Sequence, residues 1–226
     1  QVRFKMPGEP AKALDIPALR GNRLAMGFRE PPAGMRLPKT SVERREGVAP
    51  LKLAPGLTMV SLWAPWCAPC LRELGDLARL QARFGGARFR ILPILTAPRR
   101  ATTAAEAGAI LAKHGGGLFA PLIDRGGDSN ALFQALTLHE MPEGPARPGL
   151  PCNLLVTADG RVLARQFGAP IQAPAGTRPG EPRKYTAEDL AGAPTLWASP
   201  DGEAFIGALA RGEVGGSASR PSRLVS

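Results

Sequence analysis

The chain has 226 residues, enough for one domain of ordinary size with extensions or for two very small domains. Hydrophobic residues make up 44%, sufficient for one real core, and 29 Lys and Arg against 19 Asp and Glu leave a net charge of +10. That charge is scattered, with no dense basic run and no aromatic-rich stripe beside it. It therefore reads as general surface charge, and nucleic acid is not expected as a partner. Nowhere do about 18 apolar residues run together, as a membrane-spanning helix requires. The chain starts at Gln1 and not at Met, so an N-terminal stretch is expected to have been removed, and the lack of a signal peptide or membrane anchor here does not count against export.

Residues 1–50 read as an arm. Pro7, Pro10, Pro17, Pro31, Pro32, Pro38 and Pro50 interrupt every long periodic element, and pieces such as Leu24-Ala25-Met26 are left to pack on the domain or to form an edge strand. From residue 51 the pattern changes. Leu57 to Trp63 is a compact apolar run of strand length, the mark of a strand buried on both faces. Leu71, Leu74, Leu77, Leu80 and Phe84 then recur at helical spacing up to Gly85-Gly86. Phe89 to Leu95 predicts a second strand in which Pro93 implies a bulge or an unpaired position. Thr103 with Glu106 forms a capping box for a helix over 104–114, ended by Gly115-Gly116-Gly117.

Leu118 to Ile123 predicts a further short strand, and Leu132, Phe133 and Leu136 a helix capped by Asp128. Residues 139–149 and 169–195 are Pro/Gly-rich insertions. Between them, Cys152 to Thr157 and Arg161 to Phe167 flank Asp159-Gly160, a strong hairpin signal. Ser199 as N-cap and Pro200 at the first position open a last helix. The expected organisation is an arm over 1–50, one α/β domain over 51–212 and a flexible tail over 213–226. The order strand, helix, strand, helix, hairpin, helix needs a parallel pair with a right-handed crossover inside a mixed sheet.

Three cysteines are too few for a disulfide scaffold, and two of them stand as C-x-x-C at Cys67 and Cys70. The pair follows a buried strand and opens a helix. The first sulfur then sits where unpaired backbone N–H groups and the helix dipole favour the thiolate, which is the attacking species. Cys70, one turn on, is close enough to form a disulfide with Cys67 and to release a substrate from a mixed disulfide. Pro69 is tolerated in a first turn. Cys67 is expected to be the exposed member. The rival reading is half of a zinc site. Structural zinc takes about four ligands, and Cys152, His114 and His139 supply no second close pair, so redox chemistry is preferred.

Trp63-Ala64-Pro65-Trp66-Cys67-Ala68-Pro69-Cys70 resembles the W-A-x-W-C-x-P-C signature of thioredoxins. Glu73, three residues after Cys70, and Gly149-Leu150-Pro151 followed by Asn153-Leu154-Leu155-Val156 and Asp159-Gly160 are similar to the exported, membrane-anchored TlpA/ResA/CcmG branch. Ala193-Pro194-Thr195-Leu196-Trp197-Ala198-Ser199-Pro200 resembles the approach to the last helix in TlpA proteins. The resemblance covers roughly residues 50–212. It implies a thioredoxin-like fold, a central mixed sheet flanked by helices. It also implies a protein-disulfide reductase in which Cys67 attacks and Cys70 resolves, with no cofactor beyond the redox-active disulfide.

Pro151 is implied to be cis and to lie beside the cysteines, its backbone offered to an extended client segment along with Leu150, Pro69 and Trp66. Glu73 either tunes the cysteines and relays protons or is a helix-surface acid near an N-terminus. The implied partners are a disulfide-containing client of the cytochrome c or copper-oxidase maturation type and a membrane thiol electron donor. A monomer in the periplasm or another extracytoplasmic space is expected, with a removed N-terminal segment as the candidate anchor. Two departures stand out: Ser61 replaces the buried acid of thioredoxin, and Gly75 replaces a helix-kinking proline. Cys152 follows the implied cis-proline. It reads as a small buried side chain or, in a rival function, as a third thiol with Cys67 and Cys70 for Cu(I). A scaffold with idle cysteines is the third alternative.

Overall fold

The computed structural model describes residues 34–96, 101–125, 149–168 and 194–212, Phe28 and Pro31, and the backbone of 2–4 and 12–14. Strands β1 (Val2–Phe4) and β2 (Lys12–Leu14) form a separate antiparallel pair. The main sheet contains β3 (Ser41–Arg44), β4 (Gly47–Pro50), β5 (Leu57–Trp63), β6 (Phe89–Leu95), β7 (Ile123–Asp124), β8 (Cys152–Val156) and β9 (Val162–Phe167). Its order is β4-β3-β7-β6-β5-β8-β9. Among the described residues three helices accompany it: α1 (Ala68–Phe84), α2 (Ala104–Lys113) and α3 (Pro200–Arg211). A 3-10 turn over Leu196–Ala198 leads into α3.

Central β5 runs parallel to β6 and antiparallel to β8, so the sheet is mixed as expected. The unit β5-α1-β6, followed by α2, the hairpin β8-β9 and α3, sets the architecture. The fold is thioredoxin-like.

Alternation along the strands divides the core in two. Met59 and Trp63 of β5, Leu155 of β8 and Ala164 of β9 join one cluster with Leu74 and Leu77 of α1, Leu111 of α2, and Trp197, Phe205 and Ile206. Val60 and Leu62 of β5, with Cys152, Leu154 and Val156 of β8, join Val42 and Ile94 in the other. Met35, Leu37, Leu51 and Leu53 pack against this second cluster. Residues 35–50, assigned to the arm on sequence grounds, thus cover one sheet face and supply β3 and β4. Their prolines interrupt helix periodicity but tolerate short edge pairing. Leu24-Ala25-Met26, the helix around Leu132 to Leu136, most of both insertions and the tail lie outside the described residues.

Pro93 sits in β6 without a bulge. Leu95 N–H bonds Leu122 O on the β7 side at 2.8 Å, and alternation turns the Pro93 nitrogen toward that same side. Pairing of β6 with β7 is confined to Leu95 and Ile123, so the missing N–H of Pro93 costs no ladder bond. The strand expected over 118–123 shrinks to Ile123–Asp124 for a related reason. Phe119 N–H turns back to Gly116 O, Pro121 has no N–H, and Leu118 is left exposed.

Helix ends follow the sequence closely. Thr103 and Glu106 make both bonds of the capping box, and Ser199 Oγ accepts Gly202 N–H at 3.2 Å. Gly75 continues α1 without a break. A Cβ there would lie 3.3 Å from His114 O, so glycine lets the end of α2 approach α1.

Gly202 has the opposite meaning from an ordinary helical glycine. A Cβ there would fall 2.2 Å from Leu196 O and 2.9 Å from Trp197 Cα. Helix propensity alone favours Ala over Gly by about 1 kcal/mol. Gly202→Ala is nonetheless predicted to destabilise by about 2 kcal/mol or more, because it displaces the turn that carries Trp197. Chemical denaturation with near-ultraviolet dichroism of the tryptophans reads both effects; stabilisation by this substitution would contradict the packing.

Candidate active site

Strand β5 ends at Trp63, whose carbonyl accepts Thr96 N–H at 2.8 Å, and the chain turns at once into α1. Cys67 is the N-cap of α1, and Cys70 N–H points to its sulfur at 3.3 Å. The two cysteines form a disulfide with Cα atoms 5.3 Å apart. Pro69 occupies the first turn, where its missing N–H leaves no helical bond unmade. Cys67 is the less buried of the pair, yet only 5% exposed against 1% for Cys70, so the expectation of an exposed Cys67 is met only in rank. Ala64 and Trp63, packed in the same cluster, account for the cover. Trp66, immediately before Cys67, is 43% exposed.

The Leu150–Pro151 bond is cis. Since Leu62 pairs with Cys152, the preceding Pro151 lies at the end of the sheet where β5 hands over to the disulfide. Pro151 O accepts Gly168 N–H at 2.8 Å, and the proline has no N–H of its own. Of the two residues of this cis bond, only Leu150 carries a backbone N–H.

Glu73 is not a helix-surface acid. It is 1% exposed, one helical turn after Cys70, and Trp197 Nε1–H donates to its Oε1 at 3.1 Å. Burial raises its carboxyl from 4.5 to about 8, against a lowering by the Trp197 and Asn153 side chains. Asp76 opposes ionisation and Arg72 favours it, both weakly. Trp197 is itself packed by Phe28 edge-on and lies 6.4 Å from the Phe205 ring, while Phe28 stacks on Phe205 at 5.2 Å. Arg79 donates to Trp197 O at 3.1 Å and also pairs with Glu203, and Thr195 Oγ donates to Asp76 at 2.6 Å. The turn that holds Trp197 over Glu73 is thus tied to α1 on both sides.

Cys152 is not part of this assembly. Its position on β8 puts it with Leu154 and Val156 in the second cluster, whereas Cys67 and Cys70 lie in the first. Proximity of Cys152 to cis-Pro151 in the chain misled the sequence argument, because neighbouring strand residues face opposite sides. Burial also pushes the Cys152 thiol up, away from the thiolate a Cu(I) site uses. The three-thiol copper reading is corrected on these grounds.

Sequence reasoning missed Asn153, Gln166 and the role of Trp197. Asn153 and Gln166 pair across β8 and β9, and Asn153 Nδ2–H donates to Gln166 Oε1 at 2.8 Å. A signal existed: each is a polar residue two positions from a core residue of its own strand, Leu155 for Asn153 and Ala164 for Gln166.

No known family model matches the chain. Solved structures with similar chain traces include the thioredoxin domain of a Bacteroides vulgatus thiol-disulfide oxidoreductase, 17% identical over 60% of this chain and 88% of that one, with a TM-score of 0.46. A Chlorobium tepidum protein assigned as the thiol:disulfide interchange protein DsbE is 22% identical over 60% and 84%, with a TM-score of 0.44. A secreted Mycobacterium tuberculosis disulfide oxidoreductase is 18% identical over 68% and 92%, with a TM-score of 0.39. The fold assignment rests on strand order, and the chemistry below on this chain's own residues.

The Glu73 environment has a consequence for stability. The folded protein keeps this proton to about pH 8, whereas the unfolded chain releases it near 4.5. Folding therefore takes up a proton between those values, and stability falls as pH rises through them. Denaturation midpoints at about pH 5 and about pH 9 should differ by a few kcal/mol in stability through this group, and Glu73→Gln should remove that difference. An unchanged pH slope in the variant would place the proton elsewhere.

Proposed function

We propose that this protein is a thiol–disulfide oxidoreductase that reduces disulfides of extracytoplasmic client proteins, using Cys67 and Cys70. The observation that carries the reading is a disulfide whose first sulfur caps the N-terminus of α1 beside a cis-proline turn. Helix N–H groups and the dipole stabilise negative charge on Cys67 and so favour the attacking thiolate. In the reduced protein the Cys67 thiolate attacks one client sulfur. The client S–S bond breaks, one client thiolate leaves, and a mixed disulfide forms. Cys70 then loses its proton and attacks Cys67; the second client thiolate departs and the Cys67–Cys70 disulfide is restored. Two electrons pass from the protein to the client, and a dithiol donor at the membrane returns them.

Glu73 supplies the buried proton-exchanging group that Ser61 does not. Trp66 and Leu150 form the client-facing margin, with Leu150 offering backbone to an extended segment. Reduction is favoured over oxidation because Ala68-Pro69 is similar to the Gly-Pro of reducing thioredoxins. The resemblance to TlpA-type proteins supports clients of the cytochrome c or copper-oxidase maturation kind, an extracytoplasmic site of action and a monomeric protein. No helix among the described residues is long and apolar enough to cross a membrane.

The test is insulin reduction driven by dithiothreitol. Wild type should accelerate it, Cys67→Ser should abolish the acceleration, and Cys70→Ser should accumulate a client joined to Cys67. Cys152→Ser should retain wild-type rates. Equal activity of wild type and Cys67→Ser would make the cysteines idle and sink the proposal.

A further inference from the structure

Only one oxygen of the Glu73 carboxyl is held. Trp197 Nε1–H engages Oε1 at 3.1 Å, while Oε2 is buried without a hydrogen-bond partner among the described residues. On the sheet side, Asn153 stands between Ser61 of β5 and Gln166 of β9, so these three side chains share the face that α1 covers. The bond from Asn153 to Gln166 fixes the Asn153 amide. That amide lies close enough to favour an ionised Glu73, yet Oε2 still lacks a full hydrogen bond. Glu73, Asn153, Gln166 and Trp197 come from α1, β8, β9 and the 3-10 turn, and none exceeds 1% exposure.

A partly satisfied buried polar network is costlier than an apolar core of the same shape. Its position one helical turn from the disulfide gives that cost a chemical use. Among the described residues the charged groups around it are few. Asp76 and Arg72 on α1 act weakly and in opposite senses, Arg79 is engaged by Trp197 O and Glu203, and the sheet side contributes the neutral Ser61, Asn153 and Gln166.

We propose that Trp197 and Asn153 are positioning residues of the disulfide centre, two buried donors that hold Glu73 as a one-proton store for Cys70. The inference rests on the redox reading of Cys67 and Cys70. When a dithiol donor delivers two electrons, the Cys67–Cys70 bond breaks and the Cys70 sulfur emerges as a thiolate. Glu73 Oε2 gives up its proton to that sulfur, and the resulting carboxylate is held by Trp197 and Asn153. When Cys70 later attacks the mixed disulfide, its proton returns to Oε2. No solvent proton has to enter the core.

Trp197→Phe keeps a ring against Phe28 and Phe205 and deletes the donor together with part of the buried indole volume. The titration of Glu73 in the oxidised protein can be followed through carbon-13-labelled glutamate carboxyls, assigned with Glu73→Gln, alongside the midpoint potential of the pair against pH. In Trp197→Phe the Glu73 midpoint should move up by about 0.5 to 1 pH unit, the size of one buried hydrogen bond. The bend in the potential should move with it. Asn153→Leu should shift both in the same direction by less, and it carries the test alone if Trp197→Phe does not fold. Glu73→Gln should lose the bend, and Trp197→Phe added to it should change nothing further. A Glu73 midpoint unmoved in both donor variants overturns the inference, as does a residual effect of Trp197→Phe in the Glu73→Gln background. If wild-type Cys67–Cys70 does not cycle with thiol reagents, it is the redox reading that fails.

Discussion

Everything at the site depends on where β5 ends. This strand is bonded along its length to β6 on one side and to β8 on the other, with both registers closed from Thr58 to Leu62. One register carries the chain from Trp63 directly into the cap of α1, which fixes Cys67. The other brings Cys152 opposite Leu62, which fixes the preceding Pro151 at the same end of the sheet. A slip of one residue on either side would turn the buried set outward. The disulfide and the cis-proline turn are therefore brought together by the hydrogen bonding of one strand.

A second constraint comes from the helix side. Helix α1 must bury Leu74, Leu77 and Leu80 against the sheet, and Glu73 lies inside that buried face. Taking a carboxyl out of water is costly unless it stays protonated or gains donors. Both remedies are visible here. The carboxyl is pushed toward its neutral form, and Trp197 reaches it from a turn clamped to α1 by Arg79 and Thr195. Phe28 closes the aromatic cluster from outside. A residue of the arm thus contributes to excluding water from the acid, which links packing far along the chain to the chemistry of the cysteines.

Much of this was legible in the sequence because it is local. A seven-residue apolar run before C-x-x-C, a heptad-like spacing after it, Thr103 with Glu106, Asp159-Gly160 and Ser199-Pro200 are patterns whose cause lies within a few residues. The elements they predicted stand nearly where expected. What was not legible depends on partners distant in the chain. Glu73 reads equally as surface or core until Trp197 is known to cover it. Cys152 was drawn toward the site by its neighbour Pro151, although strand alternation sends it to the opposite face. Residues 41–50 looked like an arm because the pairing of β3 with β7 and of β4 with β3 is invisible in their own composition. Asn153 and Gln166 acquire meaning only from the β8-β9 register.

The central claim is that Cys67–Cys70 is a working redox couple and not a structural staple. Equilibration of the purified protein with glutathione or dithiothreitol buffers, followed by thiol alkylation, measures its midpoint potential. The account predicts a reversible couple between roughly −270 and −200 mV, the range of reducing thiol exchangers. A disulfide that resists reduction below about −300 mV would be a staple, and one near about −120 mV would be an oxidant. Either result would contradict the account.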